Sequence, residues 1–275
     1  MIPFVPAFCP ASIRYWFRSR RRLLAGLFAG VSVGVLPGAF PTAAQAQQTL
    51  TVSAAASLTD AFKELGPMFE ATKPGASVRF NFAASGVLLQ QISQGAPVDV
   101  FVSADQETVN RGVDQKLFDP ASRKNFVSNS VVLIEPGKDG PGLKTLQDLN
   151  TPAVKKIAIG KTGTVPVGRY TKEVLESAQL WSPLEPKFVQ ADSVRQVLDY
   201  VSRGEADAGF VYRTDAAIAG DKVKVVLTAT GHTPVTYPLA IVTDSRQKAL
   251  AADFIGFLST DAATRVLTRY GFGKP

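Results

Sequence analysis

The chain has 275 residues, 45% of them hydrophobic and 19% charged. That composition excludes a disordered or fibrous protein and leaves room for one large or two modest domains. The formal net charge of +7 suggests nucleic acid, yet residues 1–46 hold five arginines and no acid, leaving 25 basic against 23 acidic residues in the remainder. No basic footprint for a phosphate backbone remains, so no nucleic-acid partner is expected.

Residues 1–46 read as a cleaved export signal. Arg20-Arg21-Arg22 closes a basic segment, Leu23 to Leu36 is an apolar run of 14 residues, and Ala44-Gln45-Ala46 supplies a small-x-small cleavage site. The run is too short to span a bilayer as a helix, which argues against a membrane anchor. Cleavage before Gln47 leaves 229 mature residues and predicts an exported protein. Ser19-Arg20-Arg21-Arg22-Leu23-Leu24 is similar to a twin-arginine signal but lacks its usual Phe and Lys, so a general secretory route fits equally well. Cys9 is the only cysteine and leaves with the signal, so the mature chain has no disulfide and no thiolate chemistry. His232 is the only histidine. A zinc site of the Cys/His kind is therefore excluded, and no cofactor or protein-ligated metal is expected.

Strand-like and helix-like stretches alternate through the mature chain. Leu50 to Ala54 reads as a buried strand, and Leu58, Ala61, Phe62, Leu65 and Phe69 recur at helical spacing. Gly66-Pro67 is expected to kink or interrupt that helix. Val78 to Phe82 is a strand, Val87 to Ser93 a helix ending near Gly95, Asp99 to Ser103 a strand and Gln106 to Gln115 a helix. Val131 to Glu135 and Lys156 to Gly160 are strands, Val167 to Ala178 a helix, and Val194 to Val201 a helix stopped by Gly204. Ala208 to Tyr212, Val223 to Leu227 and Leu239 to Thr243 are strands, and helices close the chain at about 247–258 and 261–270. The alternation predicts an α/β protein, and its length suggests two lobes.

Several catalytic motifs fail on inspection. Gly160-Lys161-Thr162 lacks the glycine that a phosphate-binding P-loop needs at position 155, which is Lys. Lys161-Thr162-Gly163 and Ser245-Arg-Gln-Lys248 stand in the wrong order for a serine β-lactamase, and Ser85 is flanked by Ala83 and Val87 where a nucleophile elbow needs glycines. Asp60 and Asp99 read as a first-turn and a strand-end residue, and no paired carboxylates suit acid/base work.

Three helix starts share another chemistry. Ser57 stands where the first strand gives way to the first helix, Ser85-Gly86 does the same after the second strand, and Asp192-Ser193 opens the helix beginning at Val194. Strand carboxyl ends meet helix amino ends in such sheets, and ligands collect there. Unpaired N–H groups, a partial positive charge and a rotatable hydroxyl suit an oxyanion. Each serine alone reads as an ordinary helix cap, and Asp60 fits a capping box with Ser57. The small residues in Ala54-Ala-Ala-Ser57 and Ala83-Ala-Ser85-Gly86 are less ordinary, because they let a ligand approach the backbone.

These segments, with Gly95-Ala-Pro-Val-Asp-Val-Phe-Val-Ser-Ala-Asp105, Val165-Pro-Val-Gly-Arg-Tyr170, Phe210-Val-Tyr212, Tyr237-Pro238 and Arg269-Tyr-Gly-Phe272, resemble the periplasmic molybdate-binding proteins of ABC importers over residues 49–273. The resemblance implies a two-lobed class II periplasmic binding-protein fold with a ligand cleft between the lobes. Lobe one would comprise 47–128 plus 238–275, and lobe two 129–237. It further implies a monomeric receptor for molybdate, and for tungstate of nearly equal size, which serves an inner-membrane ABC permease and is not an enzyme. Ser57 and Ser85 match the family's serine donors. Val167 and Val194 match positions giving a backbone N–H, and Tyr212 a tyrosine whose hydroxyl reaches the anion. The sequence departs from the pattern at Val167, where Ala is usual, at Ala84, where Ser is frequent, and at Lys161-Thr-Gly, where an Asp-Pro pair is common. Lys161 is expected to be a solvated surface residue.

Neutral donors suit an anion that carries no proton, because a protonated oxygen wants an acceptor. Molybdate, tungstate and sulfate meet that condition at neutral pH, and phosphate does not. Sulfate would have to be excluded by size. The alternatives are the same fold holding sulfate or a small organic anion, and a secreted serine hydrolase using Ser57 or Ser85 with His232. Nothing near those serines in sequence supplies a base, and His232 falls in a Gly231-His-Thr-Pro turn.

Overall fold

The computed structural model describes residues 47–275. The export signal, Cys9 and the expected cleavage site lie outside the described residues.

The strands run in chain order as β1 (Gln48–Ala55), β2 (Ala76–Ala83), β3 (Val100–Val102), β4 (Lys124–Ser128), β5 (Val131–Pro136), β6 (Ile157–Gly160), β7 (Phe188–Ala191), β8 (Ala208–Tyr212), β9 (Val223–Thr228) and β10 (Thr236–Ile241). The helices are α1 (Thr59–Thr72), α2 (Ser85–Ser93), α3 (Gln106–Asp114), α4 (Pro166–Ser177), α5 (Trp181–Leu184), α6 (Val194–Ser202), α7 (Arg213–Ala219), α8 (Lys248–Phe257) and α9 (Asp261–Arg269).

Two five-stranded sheets organise the chain, with strand orders β2-β1-β3-β10-β4 and β7-β6-β8-β5-β9. In the first, β1 is parallel to β2 and β3 while β10 runs antiparallel to β3 and β4. In the second, β6 is parallel to β7 and β8 while β5 runs antiparallel to β8 and β9. The chain leaves the first sheet after Ser128 and returns to it at Thr236. The two crossings touch, since the Asn129 N–H donates to the Val235 carbonyl at 3.1 Å.

Helices cover both sheets because the central strands are apolar on both faces. Residues Ala208–Tyr212 of β8 are buried without exception. On α1, Ala61, Phe62, Leu65 and Phe69 form the buried stripe. Phe254 of α8 meets Phe62 and Phe69 edge to face, at 6.1 and 5.2 Å between ring centroids. Each such pair adds roughly 0.5–1.5 kcal/mol beyond the area it buries.

Four expectations shift. Helix α1 runs uninterrupted through Pro67. The residue before it, Gly66, lies so close to Phe80 that an added Cβ would stand 2.7 Å from the ring, so packing against β2 holds this turn helical. Strand β10 covers 236–241 rather than 239–243, and Pro238 sits at an irregularity in its pairing with β4, where the missing N–H is tolerated. Strands β4 and β7 and helices α5 and α7 were not legible in the sequence. β4 and β7 are short and half-buried, and α7 starts directly from β8 without a loop signal. Ser57 caps no helix. It lies in a 3-10 turn, Ala56–Leu58, that precedes α1, and its side chain turns elsewhere.

Candidate functional site

The carboxyl ends of β1 and β2 face those of β6 and β8 across a small cavity. Ser57, Ser85, Val167, Val194 and Tyr212, singled out from the sequence, all line it. The first two belong to the half built on the first sheet, and the other three to the second. Ala55, Ala56, Ala83, Ala84 and Ala104 complete the first half's wall, and their small side chains bring the backbone to the surface of the cavity. None of the lining residues among those described carries a charge.

Each donor is set up by its local structure. Ser85 opens α2, and its Oγ accepts the Ala104 N–H at 3.0 Å, so its own proton is free to be given elsewhere. Ser57 Oγ lies 2.8 Å from the Tyr237 hydroxyl. Val167 is the second residue of α4 and Val194 the first of α6. Amides in a helix's first turn have no carbonyl partner four residues back, so both offer N–H groups at the positive end of a helix dipole. Ser193 does cap α6, accepting the Gln196 N–H at 3.2 Å.

Tyr212 ends β8 and is buried, yet among the described residues its hydroxyl has no hydrogen-bond partner. Burial, reinforced by the neighbouring Tyr237, pushes its ionisation well above the ordinary tyrosine value, so the group stays a neutral donor. An unpartnered buried hydroxyl costs about 1–3 kcal/mol. Here it stands in the wall of a cavity where a ligand oxygen would satisfy it.

Three contacts hold the halves together around the cavity. Gly86 of α2 donates its N–H to the Thr164 carbonyl at 2.9 Å, and an added Cβ on Gly86 would stand 2.7 Å from Thr164 Cα and O. Only glycine permits that approach. Arg169 of α4 donates from Nε to Asp105 at 2.8 Å and from Nη2 to Thr108 Oγ1 at 2.8 Å. Arg195 of α6 pairs with Asp60 of α1 at 2.7 Å and with Asp215 at 2.6 Å. Asp60 therefore serves an ion pair rather than a capping box. None of the contacts that join the two halves was legible in the sequence, because each links residues more than sixty positions apart. Ala104 was missed for a different reason, since it acts through its backbone alone.

The residues set aside are also placed. Lys161 pairs with Asp192 at 2.5 Å on the surface and does not line the cavity. His232 is half-buried against the Tyr170 ring, with Nδ1 2.6 Å from the Thr233 carbonyl. Neither Ser57 nor Ser85 has a histidine partner. Among the described residues no group of three or more His, Cys, Asp or Glu is arranged to hold a metal ion.

A family model described as bacterial extracellular solute-binding protein matches residues 50–273. YvgL of Bacillus subtilis strain 168 is 39% identical over 84% of this chain and 88% of its own length. The molybdate-binding protein ModA of Escherichia coli K12 is 38% identical over 81% of this chain and 88% of its own. Among solved structures, the periplasmic molybdate-binding protein of Azotobacter vinelandii superposes with a TM-score of 0.71 at 25% identity, over 82% of this chain and 99% of that one.

Proposed function

Since this chain belongs to the bacterial extracellular solute-binding proteins, we propose that it is an extracytoplasmic receptor which binds molybdate or tungstate between two lobes and delivers it to an ABC importer. The observation that carries this reading is the uncharged cavity into which two serine hydroxyls, two helix-start amides and the unpartnered Tyr212 hydroxyl converge. A doubly charged, fully deprotonated oxyanion is the ligand such a set would satisfy. Every oxygen meets donors, and the helix ends supply partial charge without a counter-cation that would itself need desolvation. Similarity to the molybdate-binding proteins supports the same ligand.

In this reading Ser57, Ser85 and Tyr212 donate through hydroxyls, and Val167 and Val194 through backbone N–H groups. The lobes expected from the resemblance, 47–128 plus 238–275 and 129–237, are adjusted at one boundary, because β10 begins at Thr236 in the first sheet, to 47–128 plus 236–275 and 129–235, with hinges at the two crossings. The contacts of Gly86, Arg169 and Arg195 across the cavity describe a closed arrangement, and ligand release requires a hinge opening that breaks them. The mature protein is a periplasmic monomer whose partner is an inner-membrane permease. No cofactor takes part.

The test is a thermal-shift panel on protein unfolded, desalted and refolded to strip ligand, with molybdate, tungstate, sulfate, phosphate and chromate each at saturation. A ligand at a hundred times its dissociation constant stabilises the native state by about 2.7 kcal/mol. Stabilisation by molybdate and tungstate alone is the expected result. Stabilisation by sulfate as well would favour a looser cleft, and competition against molybdate would rank the two. No response to any oxyanion would overturn the reading and redirect attention to organic anions. A hydrolase reading has no support in the site, where neither serine meets a base.

A further inference from the structure

Asn129 stands on the first crossing between the halves, one residue beyond β4, and its side chain reaches toward the cavity through Tyr237. Its Oδ1 accepts the Ser130 N–H at 2.9 Å. Its Nδ2 donates to Thr214 Oγ1 at 3.0 Å and to the Tyr237 hydroxyl at 3.2 Å. The amide cannot be turned over, because that would set its NH2 against the Ser130 N–H, donor against donor. Tyr237 is fully buried, and burial raises its ionisation well above the ordinary tyrosine value, so it carries one proton. That proton cannot point at Asn129 Nδ2, which is itself a donor. The Tyr237 hydroxyl's other partner is Ser57 Oγ at 2.8 Å.

The polarity of the whole chain follows: Asn129 donates to Tyr237, Tyr237 donates to Ser57, and the Ser57 proton is left for the cavity. Resting on the receptor reading above, we infer that Asn129 and Tyr237 are positioning residues which hold Ser57 as an obligate donor and so select oxyanions that carry no proton. Ser85 is polarised the same way by the Ala104 N–H, but by backbone, which no side-chain substitution reverses. The Asn129 chain is thus the one place where the site's donor character rests on replaceable side chains. A ligand oxygen bearing a proton would meet the Ser57 proton head on.

The experiment inverts the chain. In Asn129→Asp the new carboxylate accepts from Tyr237, Tyr237 then accepts from Ser57, and Ser57 turns an acceptor lone pair to the ligand. Molybdate affinity of the wild type, N129D and Y237F is measured by calorimetry at neutral pH. Phosphate, which keeps a proton there, and sulfate, which does not, are then titrated as competitors. The added negative charge weakens all these anions, so the readout is the preference for phosphate over sulfate, two ions of similar size. N129D should shift that preference toward phosphate by at least tenfold while losing about a hundredfold in molybdate affinity. Y237F, which breaks the chain without reversing it, should lose about tenfold in molybdate affinity and relax the preference only slightly. A merely structural role for Asn129 would weaken every anion by the same factor, and that result overturns the inference. So does a Y237F protein with wild-type affinity, which decides the matter should N129D fail to fold. A wild-type protein that binds no oxyanion overturns the receptor reading and this inference together. One that binds molybdate while N129D leaves the preference unmoved overturns this inference alone.

Discussion

Arg195 Nη2 lies 2.7 Å from Asp60 Oδ2, joining the helix that presents the Val194 amide to the helix that follows Ser57. The pair ties one half of the site to the other at the first turn of each helix. Asp60 is partly exposed, so the pair stabilises the closed arrangement modestly, by up to about 1 kcal/mol. Asp60→Asn should therefore leave the melting temperature of the unliganded protein nearly unchanged and weaken molybdate by about two- to fivefold. The wild-type excess should shrink in high salt. Calorimetry at two ionic strengths measures both.

Removing the other member of the pair has a different consequence. Asp215 is fully buried and Arg195 is its ionic partner at 2.6 Å. Arg195→Met leaves that carboxylate without its counter-charge, a change that typically costs about 3–5 kcal/mol. Chemical denaturation should show a loss near the lower figure, because Asp215 can escape part of it by taking up a proton.

That proton also makes a pH prediction. Burial pushes Asp215 up to about 6, against the pull of Arg195 and the Tyr212 N–H. Its ordinary value is 3.8. Between those limits the folded protein holds a proton that the unfolded chain has released. The Asp215 contribution to stability is therefore full below about pH 4, declines as pH rises toward 6, and is flat above. Denaturation midpoints of wild type and Asp215→Asn, compared from pH 4 to 7, should diverge through that window and run parallel beyond it.

Gly86→Ala tests closure by sterics alone. The new Cβ would stand 2.7 Å from Thr164 Cα and O, backbone atoms that cannot swing aside. Because the clash lies between the halves, the unliganded protein can relieve it by opening. The expected result is a near-wild-type melting temperature without ligand, a molybdate affinity at least tenfold weaker, and a larger radius of gyration by small-angle scattering when ligand is present.

Tyr212→Phe should move stability and binding in opposite directions. Losing a buried hydroxyl that has no partner among the described residues should stabilise the unliganded protein by about 1 kcal/mol. The same change removes a donor from the site and should weaken molybdate by about tenfold. A site residue that stabilises when removed and binds worse is the mark of strain retained for a ligand.

Much was legible in the chain before any fold was drawn. Apolar runs mark eight of the ten strands among the described residues and the long helices, because burial on both faces leaves a continuous apolar stretch and helices leave a 3.6-residue stripe. The small-small-serine pattern at Ala54–Ser57 and Ala83–Ser85 marks where backbone can come close to a ligand, and the tyrosine ending β8 follows from the resemblance. Composition excluded a disulfide framework and a Cys/His zinc site without reference to shape. Only the tertiary structure decided what the serines do. Local pattern made Ser57 a helix cap with Asp60, whereas the fold sends its hydroxyl to Tyr237, 180 positions away, and Asp60 to Arg195. The physical reason is that hydrogen-bond polarity and ion pairing depend on which groups meet after the chain has crossed twice between sheets. Periodicity reports which face of a segment is buried, and carries no record of which distant donor or acceptor shares that burial.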